Sequence, residues 1–215
     1  MILAFVLSII VQSTLTSRFN KYSRVDCALT GAEVARKMLA DFGITDVQVV
    51  STDGALTDFY NPENKTINLS SPVYSKRTLA AAAVAAHETG HAIQDYQDYA
   101  PLRFRTRIVP VVTFCNNAVM WVLLAGVVFM AVFPSLLWIG IAMFAMTTLF
   151  SFVTLPVEIN ASRRAVLWLE ETGLVGQDTA PMAKDALKWA AYTYVIAALS
   201  SLATLLYYIG IARRN

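Results

Sequence analysis

Two stretches of this chain, about Ile108 to Phe133 and Ser135 to about Leu155, contain no Lys, Arg, Asp or Glu and are separated by Pro134 alone. A bilayer's hydrocarbon core is crossed by about 20 predominantly apolar residues in a helix, so each stretch is long enough to span it. The proline between them predicts a helical hairpin, because it interrupts the hydrogen-bond ladder that would otherwise fuse the two. No ordinary water-soluble domain accommodates two such runs. The composition agrees: 56% of the 215 residues are hydrophobic and only 15% are charged, against about a quarter in soluble domains.

Two further runs bring the expected number of transmembrane helices to about four. Met1 to about Ser17 has no charge before Arg18, although Gln12, Ser13, Thr14 and Thr16 interrupt it. It lacks the basic start and small-residue cleavage site of a signal peptide, and reads as an uncleaved anchor. The last run, about Trp189 to Ala212, lies between Lys184 with Lys188 and Arg213 with Arg214. Basic residues favour the cytoplasmic ends of spans. Arg18, Lys21, Arg24, Arg103, Arg105, Arg107, Arg163, Arg164, Lys184 and Lys188 all fall on one side if the spans alternate. The expected protein is therefore a multi-pass protein of the cell membrane, with the polar segments 18–107 and 157–188 cytoplasmic and both termini outside. Arg213 and Arg214 oppose that orientation. The net charge of +2 gives no reason to expect a nucleic-acid partner. Cys27 and Cys115 lie in segments of different character, and no disulfide is expected between them.

The segment after the first run has its own local code. Thr30-Gly31-Ala32-Glu33 is a capping box, and Gly43 is a stop signal, which predicts a helix from about Gly31 to Phe42. "TDVQVVS" alternates at period two, and Asn61 to Asn64 forms a turn between "LTDFY" and "KTINLS". A sheet of at most three strands follows. Segment 65–69 is open to two readings: a strand that accepts an extended substrate along its edge, or an internal strand.

From about Ser75, "SKRTLAAAAVAAHETGHAIQD" predicts a helix to about Asp95. The only two histidines, His87 and His91, are four apart on it, one turn along one face, where two imidazoles can share a tetrahedral ion. Glu88 occupies the position from which a carboxylate reaches a metal-activated water without binding the metal. A catalytic zinc takes three protein ligands and keeps one position open. With no third histidine in the chain, a carboxylate on a later helix is required. Glu158, in "LPVEINASRRAVLWLEETG" and followed by Ser162 at i+4, is a candidate, although it could instead pair with an arginine such as Arg163.

"TGAEVAR", "LTDFYNP", "VAAHETGHAIQD", "YAPLRFRT" and "LPVEINASRRA", running in order from Thr30 to Ala165, resemble the YugP-like membrane zinc metallopeptidases of bacteria. More distantly they are similar to the CaaX-prenyl-protease and HtpX-type integral-membrane peptidases. The resemblance implies that Glu158 is the third ligand to one zinc ion per chain, beside His87 and His91, with Glu88 as the catalytic base. Ser162 departs from the distant relatives, which carry Asp there.

The expected fold class is a mainly α membrane protein with a small α+β, zincin-like (gluzincin) catalytic domain. The expected activity is zinc-dependent endopeptidase chemistry at the cytoplasmic membrane face, with the lipid bilayer and a peptide or membrane-protein substrate as partners. Tyr60, Tyr74, Asn160 and Arg163 are all imaginable as donors to the oxyanion, and no spacing favours one. Two other readings compete. A site-2-type intramembrane protease would need its histidine helix to span the membrane, and Leu79 to Ala86 is too short for that. A non-catalytic scaffold with a structural zinc would need a closed four-ligand site.

Overall fold

The computed structural model describes residues 2–54 and 57–213. Met1, Leu56 and Arg214, which figure in the expected runs and flanks, lie outside them. The chain is mainly helical: α1 (Ile2–Tyr22), α2 (Gly31–Asp41), α3 (Ser71–Ser75), α4 (Leu79–Tyr96), α5 (Ala100–Val128), α6 (Pro134–Glu171) and α7 (Ala180–Arg213), with the strands β1 (Gln48–Thr52), β2 (Phe59–Asn61) and β3 (Thr66–Ser70) between α2 and α3.

α5, α6 and α7 are the three described helices long and apolar enough to cross a membrane. They turn Phe114, Trp121, Leu199 and Leu206 outward, which suits hydrocarbon and not water. α1 is apolar over its first half and polar toward its end. It packs along α7, where Tyr22 donates a 2.6 Å hydrogen bond to Asp185 and Arg18 pairs with the same carboxylate at 3.4 Å. Both cysteines are free thiols.

The long helices extend beyond the apolar runs. α6 continues through Pro156 to Glu171. A proline removes one backbone bond to the preceding turn, and neighbouring helices can hold such a rod together. The first half of α6 packs on α5 through Val119, Leu123, Leu137 and Ile141. A Cβ on Gly126 would sit 2.7 Å from the Leu137 Cα, so the hairpin closes backbone to backbone. The second half of α6 and the start of α7 leave that hairpin and enter another core, where Ala165, Trp168, Leu169, Ala183 and Leu187 meet α2, β3 and α4.

α4 is the centre of this second core. Its alanines are buried on nearly every side, as expected of a helix apolar all round, and their small size lets the surrounding elements approach closely. Thr78 caps its start by accepting from Ala81 N. α2 carries the capping box that its sequence spells, Thr30 N donating to Glu33 and Glu33 N to Thr30. Loss of such a cap costs about 1 kcal/mol.

The sheet has the order β1-β3-β2, with β1 and β3 parallel and β2 and β3 antiparallel. Segment 65–69 is therefore the central strand, flanked on both sides, and its reading as a substrate-accepting edge is corrected. β2 and β3 both pack on α4, and Tyr60 of β2 and Lys65 of the following turn both bond to Asp95, at 2.7 and 2.6 Å.

One contact fixes how α4 and α6 cross. A Cβ on Gly90 would lie 2.8 Å from the Ala161 carbonyl oxygen and 3.2 Å from its Cα. Only glycine permits that approach, and the approach carries Glu158 of α6 to the histidines of α4.

Candidate metal centre

His87 and His91 project from one face of α4 with their ring centroids 4.8 Å apart and nearly perpendicular. Glu158 comes to them from α6, with Oε2 3.3 Å from His87 Nε2 and 3.5 Å from His91 Nε2. One ligand atom from each of the three residues lies within 4.8 Å of the other two. Four donors at about 2.0–2.1 Å from a tetrahedral zinc stand about 3.3–3.4 Å apart, so both His–Glu separations match the edges of such a tetrahedron.

The hydrogen bonds behind the ligands give an independent test of fit. Gln94 is fully buried, and its Nε2 donates to Val157 O (2.9 Å) and Asn160 Oδ1 (3.0 Å). That orientation aims Gln94 Oε1 at His91 Nδ1, 3.0 Å away. Nδ1 must then carry the proton, which leaves a bare lone pair on Nε2 facing the Glu158 carboxylate. Glu158 Oε2 is buried, and no donor among the described residues meets it in bonding geometry. Two acceptors face one another in a site closed to solvent, an arrangement that a cation reconciles. Behind the other ring, Ser162 Oγ lies 3.1 Å from His87 Nδ1. That hydroxyl is placed to support the His87 ring.

The second oxygen of Glu158 faces Arg105 of α5 at 3.4 Å, so the arginine beside this carboxylate is Arg105; Arg163 points to solvent. Glu88, in the same buried neighbourhood, accepts a 3.1 Å bond from the backbone N–H of Tyr60 in β2. Burial pushes the Glu88 carboxyl up to about 7, against the downward pull of His87 and with a smaller upward push from Glu158. A cation at the cluster favours its charged form.

The cluster forms the wall between two cavities. One, of about 330 Å³, lies among α1, α4 and α7 and is bordered by His87, Glu88 and Glu158. The other, of about 370 Å³, lies between α5 and β2 and is bordered by Glu88, His91, Arg105 and Glu158. Tyr194 of α7 lines both, with its phenol within electrostatic reach of Glu158 and Glu88. Of the four imaginable oxyanion donors, Tyr60 is bonded to Asp95, Tyr74 accepts from Arg36, Asn160 is shared by Gln94 and Arg164, and Arg163 is exposed.

The sequence reading did not single out Gln94, Arg105 as the partner of Glu158, or Tyr194. Gln94 follows His91 at i+3 on the same helix, a spacing that predicts contact. Arg105 was visible only as a basic flank and Tyr194 only as part of an apolar run.

Replacing Gln94 with Met keeps the approximate volume and removes the acceptor that sets the His91 tautomer. Zinc affinity is expected to fall about 10–100-fold, the usual cost of losing a supporting partner of a ligand histidine. Competition with a chromogenic chelator checks this, and unchanged affinity would remove Gln94 from the site.

Two helical histidines and a distant glutamate, with a second glutamate beside them, form a donor set suited to a zinc ion. Residues 1–213 match the family described as "Putative neutral zinc metallopeptidase", and the chain belongs to that family. It is also similar to the "Putative membrane protease YugP" of Bacillus subtilis (strain 168), with 39% identity over 212 residues that cover 98% of this chain and 93% of that protein. No solved structure matches the chain.

Proposed function

We propose that the chain is an integral-membrane zinc endopeptidase that hydrolyses peptide bonds at the cytoplasmic face of the cell membrane, with one zinc per chain held by His87, His91 and Glu158. The observation that carries this reading is the pair of 3.3 and 3.5 Å separations between Glu158 Oε2 and the two imidazole nitrogens, with Glu88 beside them. α1 is the fourth span in this reading, packed along α7.

Bound zinc supplies a Lewis acid that polarises the scissile carbonyl and acidifies water. The rest of the reaction falls to the chain's own groups. Glu88, steadied by the Tyr60 amide, takes a proton from the attacking water and delivers it to the leaving amine. Gln94 and Ser162 hold the two imidazoles with Nε2 inward. Arg105 occupies the second oxygen of Glu158 and keeps that carboxylate turned. Tyr194, facing both cavities, donates a hydrogen bond to the oxygen on which negative charge develops. The scaffold reading would call for four ligand groups, and the cluster offers three among the described residues.

Cleavage of unstructured peptides by purified, zinc-loaded protein tests the reading, and a pure, metal-replete sample that cuts nothing defeats it. Tyr194→Phe is expected to lower kcat about 10²-fold with little change in KM, because a donor to a developing charge acts mainly in the transition state. A KM effect alone would make Tyr194 a binding residue. A compartment-sensitive reporter fused after Asn64 is expected to read cytoplasmic, and the opposite result reverses the orientation.

A further inference from the structure

The cavity among α1, α4 and α7 opens directly onto the cluster, and its far end has no assigned occupant in the chemistry above. Its wall is mostly apolar: Leu15 and Phe19 from α1, Ala83 and Val84 from α4, Leu187 and Ala190 from α7. Much of the room exists because alanine is the residue at the helix surfaces; a longer side chain at Ala190 or Ala191 would project into it. At about 330 Å³ it is at the small end of the range for ligand pockets.

Two observations say what fits. Past the cluster, an occupant would lose its hydration against alanine, leucine and phenylalanine, a loss that an apolar group does not suffer. Of the polar groups in the wall, Asp58 is committed to the Ser70 amide and hydroxyl and Ser162 to His87. The cavity on the other side of the cluster is more mixed, bordered by Asn61, Glu63 and Arg105 together with Leu102, Val109 and Pro110. A chain lying across the cluster thus meets a mostly apolar recess on one side and a mixed one on the other. The α1 residues involved come from its last turns, beside Arg18, Lys21 and Arg24, where an apolar run gives way to basic residues.

We propose that this recess is the specificity subsite of the peptidase and takes a bulky apolar side chain, of the Leu, Met or Phe class, from the residue flanking the scissile bond. The favoured substrates are peptides or membrane proteins cut where an apolar segment meets a polar one. This inference rests on the peptidase reading and deepens it.

The test uses full-length protein in lipid nanodiscs, as wild type, Ala190→Phe and Ala191→Phe, matched for zinc content as a check on folding. Each digests a peptide library varied at the residues on both sides of the bond. Wild type is expected to favour Leu, Met or Phe over Ala at one of those positions by about tenfold or more. In the filled variants that ratio is expected to collapse toward one. A second measurement, peptide binding to the Glu88→Gln protein, is expected to show the same preference and the same loss when Ala190→Phe is added. Wild-type protein that cuts no peptide overturns the peptidase reading itself. Protein that cuts with no apolar preference, or with a preference unmoved by both variants, overturns only the subsite. Loss of a co-purified lipid from the variants with an unchanged cleavage profile overturns it in favour of an acyl chain as the occupant.

Discussion

Protein carrying Glu88→Gln is expected to keep its zinc and lose about 10²–10⁴-fold in peptide cleavage, the range a positioned general base supplies. The substitution is close to isosteric, and the amide oxygen of Gln can still accept from the Tyr60 N–H that holds Glu88 at 3.1 Å. The scaffold of α4 and β2 should therefore be preserved. Only the capacity to take a proton from water and return it to the amine is lost, and no other carboxylate in the cluster is available to replace it, since Glu158 faces the two imidazoles and Arg105. The measurement is kcat/KM alongside elemental analysis of the same preparation. A variant that cleaves at the wild-type rate with full zinc would transfer the base role elsewhere.

Glu158→Ala is expected to act on the metal. It removes one of three ligands, so the loss in zinc affinity should exceed the roughly 10–100-fold typical of a supporting hydrogen bond. It also leaves Arg105 facing a void where its carboxylate partner stood 3.4 Å away. Because the ligands come from two elements, α4 and α6, bound metal should stabilise the wild-type fold by an amount that grows with the logarithm of free metal above its Kd. Chelation is then expected to lower the melting temperature of wild type and to leave that of the variant almost unmoved. Equal zinc content and equal chelator sensitivity in the two proteins would place the ion, or its third ligand, somewhere else.

Much of the centre was legible in the sequence because its two parts are written in local codes. Two histidines four apart on an alanine-rich helix share a face by the pitch of the helix alone, and Thr30 with Glu33 states a helix start outright. What could not be read depends on contacts distant in sequence. α6 reads as two pieces, since Pro156 and the change to polar residues mimic a boundary; packing on α5 below and on α4 above carries one helix through. The sheet order places β3 between strands that precede it, a crossover that no alternation pattern reports. α7 begins earlier than its apolar run because Ala183 and Leu187 are buried against the α4 core while Lys184 and Lys188 face out. The i+3 spacing from His91 to Gln94 is readable, but the bonds that orient Gln94 come from Val157 and Asn160, more than sixty positions away, and Tyr194 matters through shared cavities that no spacing reports.

The tight crossing at Gly90 bears on how tolerance to substitution should be interpreted in this protein. In a saturation survey this position should be almost as intolerant as the two imidazoles and the acids, although it neither grips an ion nor touches a peptide. Its intolerance would reflect the distance between two backbones, and a ranking of positions by functional loss alone would misfile it among the chemical groups.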